Sequence, residues 1–200
     1  MLQRTRLFLV LVSLSLASPA FADGDREPHL PWKLSIDTDP STYLFGGFSA
    51  WVMAKPAETR HLRVGLGGFG LEFPSFLVPH LNRGSDAGWS LEVRAVMGFA
   101  GYMFGDRKGF YVGAYSGYLE SRHRRDDMPG VADEHNITVL PTAGYQWFPF
   151  SAGALRGAYI QPWVGATIWI PVGGSTSLGA HQFKDPYVIP LAALHVGYEF

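Results

Sequence analysis

Residues 187–200 read YVIPLAALHVGYEF, and this carboxy-terminal stretch decides the fold class. Every second residue in it is apolar: Ala192, Leu194, Val196, Tyr198 and Phe200. Side chains at positions i and i+2 of a β-strand lie on the same face, so these residues form one continuous apolar face. His195 and Glu199 lie on the opposite face. The stretch therefore predicts a strand that separates two different environments.

The same alternation recurs along the chain between segments rich in Gly, Pro, Asp and Ser, which predicts further strands. We expect them at residues 42–54, 61–72, 89–104, 110–123, 137–148, 159–172 and 187–200, with an eighth at 32–37. Most exceed the roughly five or six residues of a soluble strand, whereas a tilted strand needs about 9–11 residues to cross a membrane.

The connections between the expected strands alternate in length. Those at 55–60, 105–109 and 151–157 are short, and those at 73–88, 124–136 and 173–186 are long. This alternation is typical of a membrane barrel that has tight turns at one end and extended loops at the other.

The carboxy-terminal residues Leu194, Val196, Tyr198 and Phe200 resemble the final strand of outer-membrane β-barrel proteins, which commonly ends in Phe with an aromatic residue third from the end. The overall layout is similar to the small barrels typified by OmpA, OmpX and OmpW. The resemblance implies an all-β fold, a transmembrane antiparallel up-and-down β-barrel, with these four residues as the signal for the barrel assembly machinery. A soluble, lipocalin-like barrel with its apolar face inward is the alternative.

The amino terminus predicts export. Residues 1–22 combine Arg4 and Arg6, an apolar stretch and a small-x-small ending at Ala20 and Ala22, the pattern of a cleaved secretory signal peptide. We expect residues 23–31 to form a leader and residues 32–200 to form a single outer-membrane barrel domain.

Composition excludes several classes of protein. No apolar run after residue 22 approaches the roughly 20 residues of a membrane-spanning helix. The chain has 16 basic and 17 acidic residues, so nothing in its charge suggests a nucleic-acid partner. It has no cysteine, which excludes disulfides and thiolate metal sites.

Alternation also predicts which side chains face the barrel interior. If the apolar residues of each strand face lipid, as Leu91 and Val93 would on theirs, the polar residues that alternate with them face the interior. These interior residues are Arg63, Glu92, Arg94, Gln146, Gln161, His195 and Glu199. Eight strands enclose a space just wide enough for side chains to fill. We therefore expect a packed polar plug without an open pore.

One local arrangement has enzymatic potential. Ser121 and His123 share a face of their strand, near its outward end. The pair is loosely similar to the His and Ser of lipid A deacylase barrels, although the order here is reversed and Glu120 lies on the opposite face. Arg122, Arg124 and Arg125 are candidates to contact lipopolysaccharide phosphates, because guanidinium groups match phosphate oxygens.

The first long loop is unusually apolar for a connection in water. Its apolar residues are Phe73, Phe76, Leu77, Val78 and Leu81. Three placements are open: at the lipid interface, folded over the barrel mouth, or as a docking patch for a partner or hydrophobic ligand. The remaining histidines show no ligand spacing, so we expect no metal and no cofactor.

These patterns predict a cell outer-membrane location, with membrane lipid, lipopolysaccharide and the barrel assembly machinery as partners. The leading hypothesis is a non-enzymatic barrel with a role in surface interaction, envelope structure or minor transport. The alternatives are a lipid-modifying enzyme that uses Ser121 and His123, and a carrier for a small hydrophobic ligand with the apolar loop as its gate.

Overall fold

The computed structural model describes residues 32–56, 59, 61–84, 87–105 and 107–200. The expected signal peptide (1–22) and leader (23–31) lie outside the described residues. The elements in chain order are β1 (Trp32–Thr38), α1 (Pro40–Leu44), β2 (Phe48–Pro56), β3 (Leu62–Glu72), α2 (Val78–Leu81), β4 (Trp89–Met103), β5 (Gly109–Arg125), β6 (Met128–Gln146), β7 (Ala158–Gly174), β8 (Ser177–Leu178), β9 (His181–Gln182) and β10 (Ile189–Glu199).

Eight of the strands form one antiparallel sheet that closes on itself. Around the ring the order is β1, β10, β7, β6, β5, β4, β3 and β2, while β8 and β9 form a separate hairpin. The ring closes between β1 and β10, where Ser35 lies opposite Glu199 and Thr38 lies opposite Val196. The prediction of an all-β chain with eight antiparallel strands is confirmed. Neither of the two helices in the described residues is long and apolar enough to cross a membrane.

The two ends of the ring differ. The turn end carries the first and last residues of the ring, Trp32 and Glu199, with the connections at 57–61, 104–108 and 147–157. The loop end carries the connections at 39–47, 73–88 and 175–188 and the tip of the β5–β6 hairpin. Because β5 and β6 continue to Arg125 and Met128, the wall is taller on their side of the loop end.

Two predicted boundaries are wrong. The segment 124–136, expected as a long loop, continues β5 and β6 around a turn at 126–127. Its side chains still alternate, with His123 and Glu134 buried and Asp133 exposed, so its polarity does not mark the end of the strands. Residues 42–47, expected in the second strand, belong to α1 and the turn after it. The helix begins there because the Asp39 side chain accepts a bond from the Ser41 amide at 2.8 Å, as a helix N-cap does.

Glycines make room for large rings inside the barrel. A Cβ atom at Gly101 or Gly113 would lie 2.6 or 2.7 Å from the ring of Phe99. The Phe99 ring in turn lies 4.6 Å from the ring of Tyr115, which lies 4.9 Å from that of Trp51. These glycines therefore determine where aromatic side chains can fit in the narrow interior.

The outward and inward faces follow the predicted alternation on three strands but not on a fourth. On β3, β7 and β10, apolar side chains such as Leu66, Val164 and Val196 are exposed on the outer surface. On β4 the prediction is wrong, because Leu91 is fully buried and Arg94 lies outside. The prediction assumed that the interior is polar at every level, whereas its loop half is lined by apolar side chains.

Candidate functional site

A polar cluster fills the turn half of the barrel interior. The Arg63 guanidinium donates from Nη2 to Asp37 Oδ2 at 2.9 Å and to the Tyr159 hydroxyl at 3.0 Å, and from Nη1 to Gln161 Oε1. His195 Nδ1 lies 3.1 Å from the other carboxylate oxygen of Asp37. All five residues are at most 5% exposed. The charges of Arg63 and Asp37 thus compensate each other away from water.

A second ion pair lies in the same turn half of the interior. Lys55 Nζ lies 2.9 Å from Glu199 Oε2 and donates to Gln146 Oε1 at 3.1 Å. The structure therefore places five of the seven predicted interior residues inside the barrel: Arg63, Gln146, Gln161, His195 and Glu199. Sequence reasoning missed Asp37 and Lys55, although each alternates with apolar neighbours on its strand.

Glu92 and Arg94, the other two predicted interior residues, lie on the outer face of β4. Arg94 Nη2 is 2.7 Å from Glu92 Oε1, and Arg124 Nη2 is 3.2 Å from Glu92 Oε2. The prediction of an interior position is wrong because Leu91 and Val93 occupy the inward positions of this part of β4.

The three arginines expected to contact lipopolysaccharide phosphates all lie near the loop end. Each interacts with a carboxylate: Arg122 Nε lies 3.0 Å from Glu120 Oε1, and Arg125 Nε lies 2.8 Å from Asp127 Oδ1. Arg124 is the arginine that contacts Glu92. Their contact with phosphate stays a prediction.

An apolar cavity of about 190 Å³ occupies the loop half of the interior. Its apolar wall includes Trp51, Phe69, Leu71, Phe73, Leu77, Met97, Leu119, Leu140, Trp163, Trp169, Ile189 and Leu191. His195 also lines it and so joins the cavity to the polar cluster. The interior is thus divided into a polar turn half and an apolar loop half, and the expectation of a polar plug holds only for the first.

Three buried hydrogen-bond donors on the cavity wall have no partner among the described residues. They are the indole Nε1 atoms of Trp163 and Trp169 and the hydroxyl of Tyr115. An unsatisfied buried donor costs about 1–3 kcal/mol, so such groups generally bond to water or a ligand. Neighbouring side chains cover the three donor atoms themselves, so the open wall of the cavity is mainly apolar and suits a mainly apolar molecule.

Residues 73–84 and 175–188 fold together over the loop end, and we call these two segments the cap. The Arg83 amide donates to the Lys184 carbonyl at 2.8 Å, and the Lys184 amide donates to Asn82 Oδ1 at 3.0 Å. Val78 and Phe183 are each 1% exposed. The cap is therefore packed onto the barrel wall and joined across its two segments.

The apolar loop forms the first segment of the cap. Phe73 and Leu77 line the cavity, Val78 is buried, and Leu81 packs against the buried core. Phe76 differs from them, because 67% of it is exposed. Of the three predicted placements, the structure shows the loop folded over the barrel mouth.

Ser121 and His123, the weak catalytic candidates, face inward under the cap and are fully buried. Neither the Ser121 hydroxyl nor either ring nitrogen of His123 has a hydrogen-bond partner among the described residues. A serine nucleophile requires a base within hydrogen-bond reach, and this arrangement does not provide that contact. Glu120 lies on the opposite face, as predicted from alternation.

His123 instead lies in a group with two carboxylates. One ligand atom each from His123, Glu134 and Asp185 lies within 4.8 Å of the others. Burial lowers the pKa of His123 to about 4, and burial together with the nearby Glu134 raises the pKa of Asp185 to about 7. Alternation on β6 could have placed Glu134 inside, but no pattern in the sequence links it to Asp185.

No family model matches the chain, and no curated protein matches it.

Proposed function

We propose that the chain is an integral outer-membrane β-barrel that binds a small, mainly apolar molecule in its interior cavity. The apolar cavity is the observation that carries this proposal. Side chains can fill an eight-stranded barrel completely, yet here about 190 Å³ remains between apolar walls. A water molecule occupies about 30 Å³ in the liquid, and apolar cavities of about 150 Å³ can bind benzene. The space thus suits a ligand near the size of a substituted benzene.

The outer surface supports the membrane location. On β5 the outward residues from Phe110 to Tyr118 are apolar or small, whereas Glu120, Arg122 and Arg124 follow at the loop end. The distance from Phe110 to Glu120, at about 3.3 Å per residue and a tilt of about 40°, corresponds to a height of roughly 25 Å. This is the height of the apolar band on outer-membrane barrels.

Exposed aromatic side chains lie at both borders of this apolar band. At the turn end they are Trp32, Tyr102, Phe104, Phe110, Trp147 and Phe200, and at the loop end they are Tyr43, Phe48, Tyr118 and Tyr187. Aromatic rings favour the interface between lipid and water. The outward aliphatic residues between them, such as Leu66 and Val164, would contact hydrocarbon.

The difference between the two ends supports an orientation. Outer-membrane barrels have short turns on the periplasmic side and longer loops outside, so the cap would face the exterior. The carboxy-terminal Phe200 would lie at the periplasmic end, where the barrel assembly machinery would bind the residues proposed as an assembly signal. The charged outer surface around Glu92 and Arg122 would then contact lipopolysaccharide head groups.

The buried hydrogen-bond donors without a partner restrict the chemical class of the ligand. Tyr115 and Trp163, whose ring centroids lie 6.1 Å apart, would donate to an acceptor oxygen of the bound molecule once a small rotation of the rings uncovers their donor atoms. Phe73 and Leu77 of the cap would cover its apolar part. A small aromatic or aliphatic ketone, ester or alcohol satisfies both requirements.

Calorimetric titration of the refolded chain in detergent with acetophenone tests this proposal, with ethylbenzene as a probe of similar size that lacks the acceptor. We expect acetophenone to bind at least about fivefold more tightly, since one net hydrogen bond contributes about 1 kcal/mol. The Ala193→Trp variant fills the cavity and provides the blank for partition into the micelle. The matched control is Ala143→Trp on the outer face of β6, which should bind as the wild type does.

Folding of each variant is checked by the change in gel mobility on boiling. Equal heats for the wild type and for folded Ala193→Trp would refute binding in the cavity. Equal affinity for acetophenone and ethylbenzene would still support an apolar binding site, but it would contradict hydrogen bonding by the indole and phenol donors.

A further inference from the structure

A second enclosed group of side chains lies under the cap, outside the proposed ligand cavity. It contains His123 from β5, Glu134 from β6 and Asp185 from the cap. One nitrogen or oxygen of each residue lies within 4.8 Å of those of the other two. The closed fold thus brings together three metal-ligating groups from separate elements.

The His123 ring is the clearest sign of a missing partner. It is 0% exposed, and neither of its nitrogens has a hydrogen-bond partner among the described residues. Its ring centroid lies 4.6 Å from that of Phe183 and 6.3 Å from that of Trp89. A neutral imidazole has one nitrogen donor and one nitrogen acceptor, so a nitrogen lone pair is available inside an apolar enclosure.

The two carboxylates lack a compensating charge within the group. Glu134 is 8% exposed, and Asp185 Oδ1 is buried without a hydrogen-bond partner among the described residues. Glu134 is buried and Asp185 is half-buried, and two poorly solvated carboxylates at close range do not both ionise unless a cation or a shared proton separates them. The nearby Arg83 donates from Nε to the main-chain carbonyl of Asp185 at 2.7 Å.

Neighbouring polar groups are arranged as the surroundings of a metal ligand commonly are. Asn136 Nδ2 donates to Glu134 Oε2 at 2.9 Å, which fixes the orientation of that carboxylate. Ser121 lies opposite Glu134 in the strand register, and its buried hydroxyl has no partner among the described residues. Such contacts orient ligands and tune the affinity of a metal site.

We propose that His123, Glu134 and Asp185 bind one zinc ion. Zinc accepts one imidazole and two carboxylates as ligands, whereas calcium and magnesium prefer sites made only of oxygen. Water or the Ser121 hydroxyl supplies the fourth ligand. Ligand atoms about 2.0–2.1 Å from a tetrahedral ion lie roughly 3.4 Å apart, so the carboxylate side chains rotate inward on binding.

The ion would join the cap to the barrel wall, because Asp185 belongs to the cap and the other two ligands belong to β5 and β6. It would also compensate the charges of the two carboxylates. Zinc should therefore stabilise the folded chain, since a ligand that binds only the native state shifts the folding equilibrium towards it. This inference requires neither the cavity ligand nor the membrane.

The test uses the full refolded chain in detergent after removal of metal, titrated with zinc against a chromophoric chelator. We expect one zinc per chain and a higher Tm with zinc. Asp185→Asn should weaken binding more than about 100-fold, because loss of a residue outside the ligand set already costs 10–100-fold. Asp133→Asn and His135→Gln, on the outer face of β6, should bind zinc normally.

Absence of zinc binding by the folded wild type would overturn the proposal. Equal affinity in wild type and folded Asp185→Asn would overturn it as well, as would displacement of zinc by millimolar calcium or magnesium. Loss of acetophenone binding alone would refute the cavity proposal and would leave the zinc result unchanged.

Discussion

Substitution of an outward residue by arginine measures which solvent surrounds the barrel. Val164 lies on the outer face of β7 within the apolar band and is 60% exposed. In a bilayer, Val164→Arg should lower the free energy of unfolding by about 2–4 kcal/mol, the cost of arginine near the midplane of a transmembrane barrel. On a surface in water the same change should remain within about 0.5 kcal/mol.

Val131 provides a matched control, since it has the same side chain and is 43% exposed on the outer face of β6. It lies near the β5–β6 tip, beyond the charged residues that border the band. Val131→Arg should therefore change stability by less than about 0.5 kcal/mol. The assay is urea-dependent unfolding from phospholipid vesicles, with the free energy taken from the midpoint and slope.

The informative quantity is the difference between the losses of unfolding free energy in Val164→Arg and Val131→Arg. Small and equal effects at both positions would refute contact between Val164 and hydrocarbon. Large and equal effects would show that arginine is destabilising on this sheet irrespective of its height, which would also contradict the proposed band.

Three further perturbations test the interior and the chain end. Arg63→Leu should lower the free energy of unfolding in the same urea assay by about 3–5 kcal/mol, because it leaves the Asp37 carboxylate buried without its ion-pair partner. Arg94→Leu, on the outer face, should lower it by less than about 1 kcal/mol. Equal losses would contradict a stabilising role for the buried Arg63–Asp37 pair. Trp163→Phe should weaken acetophenone binding roughly fivefold more than it weakens ethylbenzene binding in calorimetry, and equal losses for the two probes would remove the indole donor from the site. Phe200→Asp should reduce the fraction of chain recovered as a folded, heat-modifiable barrel in membranes, and normal recovery would contradict its role in assembly.

Much of the fold could be predicted because alternation was clear where one face of a strand is uniformly apolar. The final strand is the best example, since every second residue from Ala192 to Phe200 is apolar and faces outward. Prediction failed on β4, where both faces carry apolar residues at some level. Leu91 faces the apolar interior and Val96 faces outward on the same strand. Composition alone does not show which of two apolar faces points inward.

The candidate site was less accessible from sequence because it depends on contacts between distant segments. Arg63 and His195 could be assigned to the interior from their own strands, but their common partner Asp37 lies on the shortest of the expected strands. The cavity is closed in part by Phe73 and Leu77 of the cap, which line it together with Trp51 and Trp163. No local pattern reports such a closure, and the same is true of the approach of Asp185 to His123.

Fractionation of cells that make the chain would show whether hydrocarbon contacts the outer face of the barrel. We expect the processed protein to sediment with the outer membrane, to resist extraction by alkaline carbonate, to dissolve in detergent and to change its gel mobility on boiling. Recovery of the folded protein from the periplasm in water, without detergent, would contradict this expectation.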